Sequence, residues 1–271
     1  MFSKFKIEEF SPHIFIDQDT VESLLTIGKS VLEHNSSKIS YSFEKYIQAN
    51  GHLDADKISD DWFPVIDTDV FISHSHKDKD NALLLAGFLK SMFGLNAFID
   101  STVWGNIKDL QEKVDEPLYD YSTHTYNYDK RNQTTAYVHL LLSTALTKML
   151  DNSEAIFFLS TPQSVNSIED TITSSVWIYH EIVTSGMLRQ KYPTRTKLSQ
   201  RYFASGGIIE ARIQDGYTMD FKLNLNDFNT IDSDIVSKWV KKRINTPSSI
   251  HSLDLLYNLY DEFSQKQMIY G

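Results

Sequence analysis

The sequence predicts an α/β fold in which a parallel sheet carries helices on both faces, and three observations predict it. Residues 70–72 (VFI) and 155–160 (AIFFLS) are short, unbroken apolar runs, the pattern of strands buried on both sides. Each runs into a polar turn, and each turn is followed by a segment with helical periodicity. Strands that alternate with helices connect by right-handed crossovers, which makes the sheet parallel.

Residues 1–65 differ in texture from the rest of the chain. They hold a candidate strand at 13–16 and a helical pattern through Val21, Leu24, Leu25, Gly28, Val31 and Leu32. Residues 39–47 fit either a strand or a helix, and the aspartate-rich stretch 53–64 reads as a connection ending at Pro64. This segment is expected to be a small N-terminal appendage.

The main domain is expected over residues 66–246. After the strand at 70–72, residues 77–93 read as a helix, with Asp78 and Asp80 in its first turn, where the dipole favours anions. Leu84, Leu85, Phe88, Leu89 and Met92 give that helix an apolar face, and Gly94 closes it. Residues 95–100 (LNAFID) are the next strand. Residues 101–133 form a long insertion with a helix at 107–114 and Tyr119, Tyr121, Tyr126 and Tyr128 among polar residues. Long loops of this kind are frequently lids; equally, the rings would pack on one another at the surface.

Periodicity resumes at 134–150 through Val138, Leu141, Leu142, Ala145, Leu146 and Met149. The strand at 155–160 comes next, then a Thr161-Pro162 break and a helix over 171–186 that sets Ser174, Trp177 and Glu181 on one edge. Further strands are expected at 208–213 and 219–225, a helix at 232–244, and a C-terminal amphipathic helix within 247–271.

Composition narrows the function classes. A net charge of -10 argues against a nucleic-acid partner, because such binding draws its affinity from Lys and Arg on phosphates. The absence of cysteine excludes disulfides and thiolate zinc sites and suits a reducing, cytoplasmic setting. No apolar run approaches the roughly 18 residues of a membrane span, so no membrane association is expected. Gly-x-Gly-x-x-Gly and complete Gly-x-x-x-x-Gly-Lys-Ser/Thr loops are lacking, as is a Gly-x-Ser-x-Gly context for Ser160, which disfavours dehydrogenases, P-loop enzymes and serine hydrolases.

In open parallel sheets ligands bind outside the carboxyl ends of the strands. The loop 73–76, the tyrosine-rich insertion and the start of the 171–186 helix are therefore expected to converge.

Four motifs in this order resemble the Toll/interleukin-1 receptor (TIR) domain over roughly residues 67–245: DVFISHSHKD, NAFID, SEAIFFLSTPQS and SSVWIYHEI. The resemblance implies a flavodoxin-like sheet of about five strands. In family members that consume NAD, among them bacterial antiphage proteins, the glutamate of the Trp-x-x-x-Glu helix is catalytic. Carried over, that residue is Glu181. The resemblance implies substrate contacts from Ser73, His74, Ser75, His76, Asp100, Trp104 and Trp177, with NAD as substrate and no cofactor. It also implies self-association and a downstream effector that responds to the product. The insertion 101–133 is longer than the usual loop at that place, and His74 and His76 stand where some relatives have tyrosine or arginine.

The chemistry is consistent with one carboxylate. The nicotinamide leaving group already carries positive charge, so its departure needs no strong general acid, and a carboxylate can stabilise the oxocarbenium-like state or hold the ribose hydroxyls. From spacing alone Glu181 reads as a solvated helix residue and Trp177 as core filler. His74 and His76 lack a third metal ligand at a recognised spacing, which leaves hydrogen bonding to phosphate or ribose, or the role of ordinary loop histidines. The alternatives to an NAD-cleaving enzyme are a non-enzymatic adaptor that binds other TIR domains and a nucleoside deoxyribosyltransferase-like enzyme.

Overall fold

In the computed structural model, residues 1–8, 18–36, 43–99, 107–166, 171–195 and 219–269 are described. The elements are β1 (Ser3–Glu8), α1 (Gln18–Ser36), α2 (Ala55–Trp62), β2 (Val70–Ser73), α3 (Lys79–Phe93), β3 (Ala97–Phe98) and α4 (Ile107–Asp115). Next come β4 (Tyr119–Asp120), β5 (Thr125–Tyr126), α5 (Tyr128–Asn152), β6 (Ala155–Ser160), β7 (Ile172–Thr173) and α6 (Val176–Met187). The last elements are β8 (Phe221–Lys222), β9 (Asn229–Ile231), α7 (Ser233–Ile244) and α8 (Ser252–Ile269).

Five strands form one parallel sheet in the order β3-β2-β6-β1-β9, with helices on its faces and α8 at the C-terminal end, consistent with a flavodoxin-like fold. The fourth place is taken by β1, from the segment expected as an appendage. The strand expected at 208–213 and the candidate strand at 13–16 lie outside the described residues. Residues 219–225 supply only β8, which pairs antiparallel with β7 outside the main sheet. The connection expected at 53–64 contains α2, capped by Asp54, whose carboxylate accepts from the Lys57 amide.

Crossover handedness assigns the helices to faces. The step from β2 through α3 to β3 runs one way along the sheet, and the step from β3 through α4 and α5 to β6 runs back, so right-handed connections put α3 opposite α4 and α5. Ring contacts fix the α3 face: Phe157 meets Trp239 of α7, Phe93 of α3 stacks on Trp239, and Phe5 meets Tyr257 and Tyr260 of α8. On the other face α6 packs beside α5. It runs back toward the start of β1, where the Lys191 amide donates to the Met1 carbonyl at 2.9 Å and Gln190 Nε2 to the Phe2 carbonyl at 3.0 Å. Among the described residues no helix is long and apolar enough to cross a membrane.

Helix α1 lies directly on α3, and two glycines make that approach possible. A Cβ at Gly87 would sit 2.0 Å from the Leu24 carbonyl oxygen, and one at Gly28 would sit 2.2 Å from that of Leu83. Both obstacles are backbone, so the helices themselves must part. Gly87→Ala is therefore expected to cost about 1–3 kcal/mol despite alanine's better helix propensity. Urea unfolding of the two proteins measures it, and equal midpoints would show that the helices separate freely.

The base of the sheet is held by ions. Arg195 donates through both terminal nitrogens to Glu154 and through Nε to Asp254 at 3.1 Å, and the Tyr257 hydroxyl donates to Glu154 at 2.8 Å. Burial works against the Arg195 charge, yet the two carboxylates outweigh it and hold the guanidinium above its ordinary range. Burial and the Glu154 charge push the Tyr257 hydroxyl upward.

Candidate active site

The candidate site lies at the carboxyl ends of β2 and β6, on the α5 and α6 side of the sheet. Successive side chains along a strand alternate between faces. Phe157 faces α7, so Phe158 faces α6, and its register partners Ser73 on β2 and Lys6 on β1 share that face. Thr230 of β9 completes the row beside Lys6. One step further out, Glu8 pairs in register with Ser160.

Ser73 is fully buried, and its Oγ meets no hydrogen-bond partner among the described residues. An orphaned hydroxyl at a strand end is costly to keep in a dry core, and such groups call for a functional account. His74 is buried, with Nδ1 3.4 Å from the Ile72 carbonyl oxygen. Ser75 caps the short 3-10 turn after β2, accepting from the Lys77 amide, and His76 is exposed. Asp100 and Trp104 lie outside the described residues.

Helix α6 begins at Val176, with Ser175 as its cap, whose hydroxyl accepts from the Ile178 amide. Its start is later than the periodicity suggests, because Ile172 and Thr173 pair with β8. Ser174 therefore precedes the helix; its hydroxyl is exposed and donates to Asp220 at 2.8 Å. The buried positions of α6 are Ile178, Glu181, Ile182 and Ser185, a spacing of three, four and seven that defines one helix face. Glu181 is only 2% exposed, so the reading as a solvated residue, drawn from spacing alone, does not hold. A carboxylate on the core face of a helix is costly to desolvate and is retained where it has partners or a task.

Trp177 occupies a neighbouring edge of α6. Its half-buried ring meets that of His139 on α5, centroids 5.7 Å apart, and His180 on the same edge lies 3.2 Å from the Ser143 carbonyl through Nε2. Burial lowers the His180 pKa, partly offset by that hydrogen bond. The Trp177 edge thus secures α6 to α5 and orients the Glu181 face.

Sequence reasoning misses the link that draws the two strand-end turns together. Asp78, a helix-dipole residue by its sequence position, is buried and accepts from Thr161 Oγ1 at 2.5 Å and from Asn81 Nδ2 at 3.3 Å. Thr161 is held in turn by Ser164, whose hydroxyl accepts from the Thr161 amide and donates to the Leu159 carbonyl. The turns after β2 and β6 are thereby joined. Over its described residues, 107–133, the tyrosine-rich insertion is not a loop: α4 and the β4-β5 hairpin occupy it, and Tyr119 packs against Tyr121 and Tyr126 with centroids 4.9 and 5.0 Å away. Arg131 lies over the Tyr126 ring. These contacts favour a surface unit that packs its own rings.

Away from the sheet's carboxyl end, Glu154, His251 and Asp254 place ligand-type atoms within 4.8 Å of one another. Arg195 bridges the two carboxylates, which makes this an ion-pair cluster with its cation already supplied. Comparison with family models, curated proteins and solved structures finds no match.

Proposed function

We propose that the chain is an NAD-cleaving enzyme of TIR type, with Glu181 as its catalytic carboxylate. The observation that carries the reading is a buried glutamate on the inward face of α6, on the same side of the sheet as Ser73, whose buried hydroxyl has no partner among the described residues. The four-motif resemblance and the carboxyl-end position support the same reading.

In this mechanism the bond between ribose C1′ and the nicotinamide nitrogen breaks, and its electron pair leaves with nicotinamide as the ring becomes neutral. Glu181 stabilises the cation that develops on the ribose or holds its hydroxyls. Water then attacks C1′ and loses a proton to solvent, giving ADP-ribose; an internal nucleophile in place of water gives a cyclic product. In this reading Ser73 and His74 hydrogen-bond the ribose or a phosphate. A role in antiphage signalling, through self-association and an effector that reads the product, rests on the same resemblance.

Incubation of the purified protein with NAD, with separation and weighing of the products, tests the proposal. Nicotinamide and a product of ADP-ribose composition are expected. No turnover at any protein concentration favours an adaptor, and turnover of deoxynucleosides instead favours a deoxyribosyltransferase.

A further inference from the structure

We infer that Lys6 binds the phosphate groups of the substrate, with Glu8 as the counter-ion that it gives up on binding; this rests on the NAD reading above. Lysine is out of place where Lys6 sits. Strand β1 lies inside a parallel sheet, between β6 and β9, and such strands are ordinarily apolar on both faces. One face of β1 obeys the rule through Phe5 and Ile7, both buried. The other carries Lys4, Lys6 and Glu8, and it is the face shared with Ser73 and Phe158.

Lys4, nearer the start of the strand, pairs with Asp227. Lys6 is two strand spacings from Ser73 in the same row, about 10 Å between Cα atoms. That offset suits a group that holds the part of a dinucleotide beyond the reacting ribose. Lys6 Nζ is 2.6 Å from Glu8 Oε1, with the lysine side chain 23% and the glutamate 42% exposed. A partly exposed pair of this kind is worth little, so a pyrophosphate can displace the carboxylate with small loss. In a chain of net charge -10, an anionic substrate needs a local cation to be held at all.

The pair makes opposite demands on its two members, and that decides the test. NAD turnover is measured for the parent protein, Lys6→Met and Glu8→Gln, with thermal melts to establish folding. Lys6→Met is expected to raise KM for NAD roughly tenfold or more with little change in kcat, and Glu8→Gln to lower KM by removing the competing anion. Lys6→Arg keeps the charge and is expected to restore most of the affinity, which also reads the proposal should Lys6→Met not fold. A pair that is merely structural would move KM in the same direction in both variants, or not at all, and that result overturns the inference while leaving the NAD reading intact. A parent protein that does not cleave NAD overturns both.

Discussion

Replacing Glu181 with glutamine is expected to lower nicotinamide release about 100- to 1,000-fold while the protein stays folded, the usual effect of removing one group that stabilises transition-state charge. Glutamine keeps the shape and much of the hydrogen-bonding capacity of glutamate but cannot carry the negative charge that an oxocarbenium-like state requires. The melting temperature separates this role from a structural one. Glu181 is 2% exposed on the core face of α6, where a carboxylate is expensive to desolvate. A residue kept there for chemistry leaves stability unchanged or raised when its charge is removed. A residue kept for structure loses stability and leaves turnover per folded molecule unaltered. Rate and melting temperature measured on the same preparation therefore give opposite patterns for the two roles, and undiminished turnover in Glu181→Gln would sink the catalytic assignment.

The burial of Glu181 is not legible in the sequence, and the reason is physical. Helical spacing assigns Ile178 and Ile182 to a core face and leaves Glu181 ambiguous, since position 181 falls about 60° beyond Ile178, at the border of the arc that those two define. Strands β2 and β6 are legible because a strand covered on both faces is apolar at every position, as in VFI and AIFFLS. Strand β1 fails the same test. Its SKFKIE sequence alternates, which is the signature of a half-exposed strand, and nothing local says that it enters the sheet between β6 and β9. Strand β3 falls within the strand expected at 95–100, although it contributes only two residues, whereas β9, with three, is too short for any period to show. The Asp78–Thr161 hydrogen bond joins residues far apart in the chain, so its partners can be matched only in three dimensions. Gly28 reads as one more member of a helical stripe, and its reason for being glycine, the carbonyl of Leu83, sits on another helix.

Trp239→Ala is expected to destabilise the protein by about 3–5 kcal/mol, the usual cost of deleting a large buried aromatic side chain. Trp239 is 2% exposed and lies where α3, β6, α7 and α8 meet. Its ring stacks on Phe93 at 3.7 Å, meets Phe157 edge-on, and donates through Nε1 to the Ser252 carbonyl at 2.8 Å. Ser252 in turn donates its hydroxyl to the Phe93 carbonyl at 2.7 Å, so the indole closes a loop of contacts that fastens the start of α8 to the end of α3. Trp239→Phe retains an aromatic partner for Phe93 but leaves the Ser252 carbonyl without its donor, and is expected to cost less, about 1–3 kcal/mol. Denaturant unfolding orders the three proteins; a loss below about 1 kcal/mol for the alanine variant would show that Phe93 and Phe157 close the space. Trp239 faces the α3 side of the sheet, whereas Glu181, Ser73 and Lys6 share the other. Below its lowered melting temperature the alanine variant is thus expected to keep its KM and kcat for NAD, the converse of Glu181→Gln. A kinetic defect in folded Trp239→Ala would mean that the two faces of the sheet are coupled through β6, whose Phe157 and Phe158 are adjacent residues on opposite sides of it.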